Sequence, residues 1–136
     1  ASTPAVRKVM QGNKSKNTKP EIHVREALRE AGFPGYRLHW RIDDEKGRYV
    51  CRPDVSYPGR RLAIFVHGCF WHRCPRCELP MPKSNQDYWK EKFEKNYLRD
   101  ATKKAELQRL GWRVVVIWEC ELSDTGSDEL ARSMGL

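Results

Sequence analysis

The sequence predicts an α/β domain built on a mixed central sheet flanked by helices. Three observations carry that prediction. Arg61-Leu-Ala-Ile-Phe-Val66 and Trp112-Arg-Val-Val-Val-Ile-Trp118 are apolar enough for strands buried on both faces. A long helical pattern from about Asn85 to Leu110 separates them, so they form a strand–helix–strand unit whose strands pair in parallel. Upstream, a second helical pattern and two alternating segments supply the remaining layer. With 136 residues, 39% of them hydrophobic, the chain suits one small domain. Its longest apolar runs, such as Val114 to Trp118, are far too short for a membrane-spanning helix.

Residues 1–17 are polar, basic and without period, and read as an extended arm ahead of a folded domain over 18–136. Thr18 is a helix N-cap, Pro20 falls in the first turn, and Val24, Ala27, Leu28 and Ala31 keep helical spacing up to Gly32. Tyr36 to Ile42 alternates as a strand, and Asp43-Asp-Glu-Lys-Gly47 is a turn. Tyr49 to Tyr57 forms the next strand, with Pro53 at its start or at a bulge, and Pro58-Gly59 turns into Arg61–Val66. His67 to Pro82 is too rich in Cys, Pro and Gly for a regular element and reads as a loop that something else must organise. In the long helix, Trp89, Phe93, Tyr97, Ala101 and Ala105 recur at i+4 before Gly111 ends it. After the last strand, a short helix is expected from Ser123.

The balance of 26 Lys+Arg against 18 Asp+Glu leaves a net charge of +8. Arg7, Lys8, Lys14, Lys16 and Lys19 lie within the first twenty residues with no acid among them, so the arm, through Lys14 and Lys16, is the basic element. A polyanion partner fits, although solvated basic faces are ordinary. The start Ala1-Ser-Thr-Pro-Ala-Val-Arg7 lacks the apolar core of a signal peptide. The expected compartment is therefore the reducing cytoplasm, where clustered thiols bind metal more often than they pair.

Cys69-x4-Cys74-x2-Cys77 and Cys120, just past the last strand, supply the four ligands of a closed, structural zinc site. Separate buried thiols are the competing reading, and Cys51 is the odd one out, an inert core thiol. Asp54, one turn before the strand that delivers His67 and His72, could hold Mg²⁺ while a neutral imidazole accepts a proton from water. An ordinary turn aspartate is the competing reading there, and His72 could instead bind zinc. Phe70-Trp71 beside the metal loop is either a small core packed on zinc or an exposed wedge of the kind that enters DNA base steps. Trp89 could join that wedge, but its register with Phe93 favours core packing.

Val66-His-Gly-Cys-Phe-Trp-His72, with Pro53-Asp54 upstream and Gly111 to Cys120 downstream, closely resembles the very short patch repair endonucleases. The likeness runs from about Val9-Met10 and Thr18-Lys-Pro-Glu21, through Asn96-Tyr-Leu-Arg-Asp100, to Leu122. It implies a restriction-endonuclease-like fold, a structural zinc, and Mg²⁺-dependent nicking on the 5′ side of the T in T:G mismatches left by deaminated 5-methylcytosine. By motif, Asp54 becomes the essential magnesium ligand, the Val66 carbonyl a second one and His72 the proton acceptor, supported by His67 and Glu21. Phe70, Trp71 and Trp89 become an intercalating wedge, with Met10 pressing from the opposite side. The implied partner is double-stranded DNA with a T:G mismatch, acted on by a monomer near the bacterial nucleoid, with mismatch-repair proteins and a methyltransferase as companions. Two features depart from relatives. The Asp/Glu-x-Lys half of related nucleases is replaced by Ala63-Ile64-Phe65, so histidine must serve for lysine, and the zinc ligands are all Cys where relatives mix Cys and His. Two rival readings remain: a nuclease of restriction or defence type with another specificity, and a noncatalytic zinc-stabilised DNA-binding module.

Overall fold

A computed structural model describes residues 17–136, the side chain of Trp71 excepted. The expected arm, with Met10, Lys14 and Lys16, lies outside the described residues.

Helix α1 (Lys19–Glu30) begins where predicted: the Thr18 hydroxyl accepts from the Glu21 N–H at 3.4 Å, and Pro20 occupies the first turn. Its inner stripe of Val24, Ala27 and Leu28 is buried. Strands β1 (Arg37–Leu38), β4 (Val55–Tyr57), β5 (Leu62–His67) and β6 (Arg113–Trp118) form one sheet in the order β1-β4-β5-β6. β1, β4 and β5 pair antiparallel, whereas β5 and β6 pair in parallel as the sequence predicts. Strands β2 (Ile42–Asp43) and β3 (Tyr49–Cys51) form a separate hairpin.

Two strands expected to be continuous are each broken in the middle. His39 takes a left-handed backbone (φ 51°) and separates β1 from β2. Pro53, which has no N–H to donate to a ladder, separates β3 from β4. Each half-strand then joins a different sheet, and the hairpin packs Ile42 and Cys51 with Ala63 of the main sheet.

β5 alternates between two cores. Leu62, Ile64 and Val66 pack with Val24, Leu28, Leu130 and Met134 on the side of α1 and the C-terminal helix α5 (Ser127–Ser133). Ala63 and Phe65 face the other way, toward Cys51, Ile42 and Leu107. Cys51 is fully buried there, as expected of an inert core thiol. The same alternation carries His67, one residue past the predicted end of the strand, onto the Ala63–Phe65 side. The loop expected from His67 opens with a helical turn, α2 (Cys69–His72), which ends where Arg73 turns left-handed.

Helix α3 (Gln86–Arg109) matches its predicted span, but its buried face does not follow the i+4 row. Trp89, Phe93, Asn96 and Leu107 are buried, while Tyr97 is 70% exposed and Ala101 and Ala105 face solvent. A strict i+4 row advances about 40° per step around a helix with 3.6 residues per turn, so it spirals off the core. The inward line alternates steps of four and three: Trp89, Phe93, Asn96, Asp100, Lys103, Leu107. It is apolar at both ends and polar in the middle. After β6 come the turn α4 (Glu119–Leu122) and α5, close to the short C-terminal helix expected.

Leu107→Ala should therefore lower unfolding free energy by about 2–5 kcal/mol, whereas Tyr97→Ala should stay within about 0.5 kcal/mol, both read by urea denaturation. Equal losses would show that the i+4 row is the packed face.

Candidate active site and metal centre

The parallel register sets His67 opposite Trp118, so Cys69 and Cys120 each follow two residues beyond a paired strand end. There they meet Cys74 and Cys77, and the four sulfurs all lie within 4.8 Å of one another. Cys74 and Cys120 are 3.7 Å apart. Tetrahedral coordination with metal–sulfur bonds of about 2.3 Å places sulfurs about 3.8 Å apart, so the cluster is the right size for such an ion. The Cys69 N–H donates to Glu119 Oε1 at 2.8 Å, tying α2 to α4 across the cluster. His72 is not part of this set, and the reading of it as a zinc ligand is corrected: its ring turns into the adjoining groove.

That groove, of about 1360 Å³, runs between the hairpin and α3, and its lining includes Glu21, Asp54, Val66, His67, His72 and Asp100. The structure thus brings together every residue expected of the hydrolytic centre. The Val66 N–H donates to Asp54 Oδ2 at 2.7 Å, fixing the carboxylate against the end of β5. Glu21, 3% exposed, accepts from the Asn17 N–H (2.9 Å) and Arg25 Nη2 (3.2 Å), with His39 Nε2 at 3.7 Å.

Asp100 is the residue the sequence reading missed as a site group. Its Oδ2 lies 2.6 Å from His72 Nδ1 and 4.0 Å from His67 Nε2. The two imidazoles stack with centroids 3.8 Å apart and planes 5° from parallel. These three side chains come close enough together to suggest a metal site. Parallel rings, however, cannot both direct in-plane lone pairs at one ion, so the arrangement suits a carboxylate that orients His72. The missing signal was the four-and-three spacing of α3, which puts Asp100 one step beyond Asn96 on the inward line.

The aromatic residues require a correction. Trp89 is 1% exposed, stacked on Phe93 with centroids 5.5 Å apart, and Phe70 meets both rings edge-on at 5.4 Å. Trp89 is core, as its register with Phe93 implies, and Phe70 is half-buried over it.

The family model described as DNA mismatch endonuclease Vsr matches residues 2–78, more than half of the chain. The chain belongs to the Vsr family. It is 48% identical over 124 residues to the type II nicking enzyme V.XorIIP of Xanthomonas oryzae pv. oryzae, covering 90% of this chain and 85% of that one. Identity to V.NmeAIP of Neisseria meningitidis serogroup A, also a type II nicking enzyme, is 44% over 112 residues, covering 81% and 74%. The DNA mismatch endonuclease Vsr of Escherichia coli is 44% identical over 88 residues, 65% of this chain and 55% of its own length. The chain is therefore a DNA endonuclease, which sets aside a noncatalytic binding module. No helix among the described residues is long and apolar enough to cross a membrane.

In this Vsr-family endonuclease the electrostatics separate the carboxylates by role. Burial pushes Asp54 up to about 7; the Val66 N–H opposes that rise and the neighbouring Glu21 carboxyl adds to it. Two carboxyls sharing a desolvated corner are what a bound cation relieves. Burial also disfavours charge on Asp100, but the hydrogen bond and charge of His72 outweigh it and hold Asp100 below its ordinary range. His67, buried and facing the charge of His72, is pushed down to about 4 and stays neutral. Its Nδ1 is buried with no hydrogen-bond partner among the described residues.

Because Asp54 is raised in the folded state, its favourable contribution is present below pH about 4 and is lost as pH rises through about 7. Without added divalent metal, Asp54→Asn should melt above the parent at pH 8 and match it near pH 4. A melting difference independent of pH would contradict a buried, proton-holding Asp54.

Proposed function

We propose that this endonuclease nicks one strand of duplex DNA on the 5′ side of the T in a T:G mismatch. The observation that carries the reading is a single groove that joins the Asp54–Glu21 carboxyl pair to the His72–Asp100 pair. Asp54 and the Val66 carbonyl would hold Mg²⁺, which when bound polarises the phosphate and lowers the pKa of water. His72 Nε2 takes the proton of the attacking water while Nδ1, hydrogen-bonded to Asp100, stays in one tautomer and orientation. His67 supports the ring by stacking, and burial, with Glu21 adding to it, favours the protonated form of Asp54 until a cation arrives.

Zinc is the ion proposed for Cys69, Cys74, Cys77 and Cys120, with a structural role because all four positions are protein ligands. Loss of that ion frees α2 from β6, and α2 carries His72. Phe70 and its neighbour Trp71 are the wedge proposed to enter the base steps, with Trp89 and Phe93 as the floor that keeps Phe70 from retreating. The basic arm over 1–17, with Met10, Lys14 and Lys16, would meet the duplex from the other side. One asymmetric nick needs no second copy of the chain, which fits a monomer.

A second reading has its own support: the relative with 48% identity is named a nicking enzyme, so the chemistry could serve another sequence context or lesion. A panel of end-labelled duplexes with T:G, U:G, abasic or fully paired sites, incubated with the zinc-loaded protein and Mg²⁺, decides between them. Nicking confined to the 5′ side of T in T:G is expected, and cleavage elsewhere would reassign the substrate. Asp54→Ala should abolish nicking and His72→Ala should slow it by about 10²–10⁴-fold, both with the folded, zinc-loaded state retained by circular dichroism. Asp100→Asn should slow nicking and shift the acidic limb of the pH–rate profile; a profile identical to the parent's would remove Asp100 from the mechanism. Cys120→Ser should release zinc and lower the melting temperature, as read by a zinc-sensitive dye alongside circular dichroism.

A further inference from the structure

Between Cys51 and Val55 the chain passes from the hairpin to the main sheet: Cys51, Pro53 and Val55 are buried, Arg52 is exposed and Asp54 is half-buried. Arg52 and Asp54 flank Pro53, and both line the groove. The Arg52 guanidinium makes one long hydrogen bond, 3.4 Å to the His39 carbonyl, and no ion pair among the described residues. Arg25, Arg41, Arg76 and Arg109, by contrast, each pair with a carboxylate. The left-handed turn at His39 aims that carbonyl across the break between the two sheets, so it steers the arginine along the lip without neutralising it. On the opposite lip, Lys103 and Lys104 project from α3.

We propose that Arg52 grips a phosphate of the cleaved strand, the one flanking the phosphate at Asp54, and thereby sets which bond lies over the hydrolytic centre. A guanidinium fork matches two phosphate oxygens in a way that a lysine cannot, and a fork with most of its donors unused is ready for that contact. Lys103 and Lys104 would attract the duplex from the other side as point charges. The proposal rests on Asp54 being the hydrolytic centre.

The test uses the zinc-loaded full chain and T:G duplexes, with binding measured by fluorescence anisotropy without added magnesium and nicking measured with it. Arg52→Ala should flatten the slope of log affinity against log salt by about one unit, the share of a single phosphate contact. A single methylphosphonate moved along the cleaved strand should weaken the parent at one position beside the nick and leave Arg52→Ala unaffected there. Arg52→Lys should keep the slope but nick more slowly, or at a less uniform position. An unchanged salt slope, or a methylphosphonate profile identical in parent and Arg52→Ala, would overturn the proposal. Arg52→Gln, which keeps a donor toward the His39 carbonyl, repeats both measurements if the alanine variant melts early. Nicking by Asp54→Ala would overturn the underlying assignment instead, and the phosphate measurements separate the two failures.

Discussion

The parallel pairing of β5 with β6 is the contact on which both clusters of the molecule depend. Its register sets His67 beside Trp118, and from there two residues on either strand lead to Cys69 and Cys120. A slip of one residue would turn His67 into the core shared with α1 and would part the two cysteines that close the metal cluster. The crossover imposes a further condition. A connection between parallel neighbours must return over one face of the sheet, and α3 covers the face that carries Ala63, Phe65 and His67. The helix that completes the topology thus also delivers Asp100 to the histidines.

Much of this was legible because it rests on local chemistry. Thr18 and Pro20 mark a helix start, two apolar runs mark buried strands, and the spacing of four cysteines fits one tetrahedral ion. What escaped depends on geometry over longer distances. Nothing adjacent to His39 announces a left-handed residue, because the break is imposed by pairing: the segments on either side belong to different sheets. Asp100 escaped through the difference between an i+4 row and the true 3.6-residue period. Over a single step the two are indistinguishable, and over five they differ by half a turn of the helix. Asp54 was identifiable as a candidate from its place at a strand start, but its proton affinity comes from burial beside Glu21, a residue 33 positions earlier in the chain.

The groove shows how a small domain accommodates groups that weaken it. Asp54 and Glu21 crowd two carboxyls into one desolvated corner, and His67 is buried without full hydrogen bonding among the described residues. Each costs folding free energy. The cost is confined to the seam between two apolar clusters, one on the α1–α5 side and one against α3, and neither contains an ionisable site group. The metal cluster adds a third anchor at the end of the seam, so the strained corner is held from three directions.

The inward line of α3 also fixes a length. Trp89 and Phe93 seat one end of the helix against the cysteine-bearing turn, and Leu107 seats the other end against the hairpin. Asp100 hangs between two moorings. Adding or removing one residue anywhere from Phe93 to Leu107 would rotate one part of the helix against the other by about 100°. Either an end would lose its seat or Asp100 would swing away from His72. Change by substitution is open along the whole outer surface of this helix, and change by insertion is closed along its middle: α3 serves as a gauge bar whose length sets the opening of the groove.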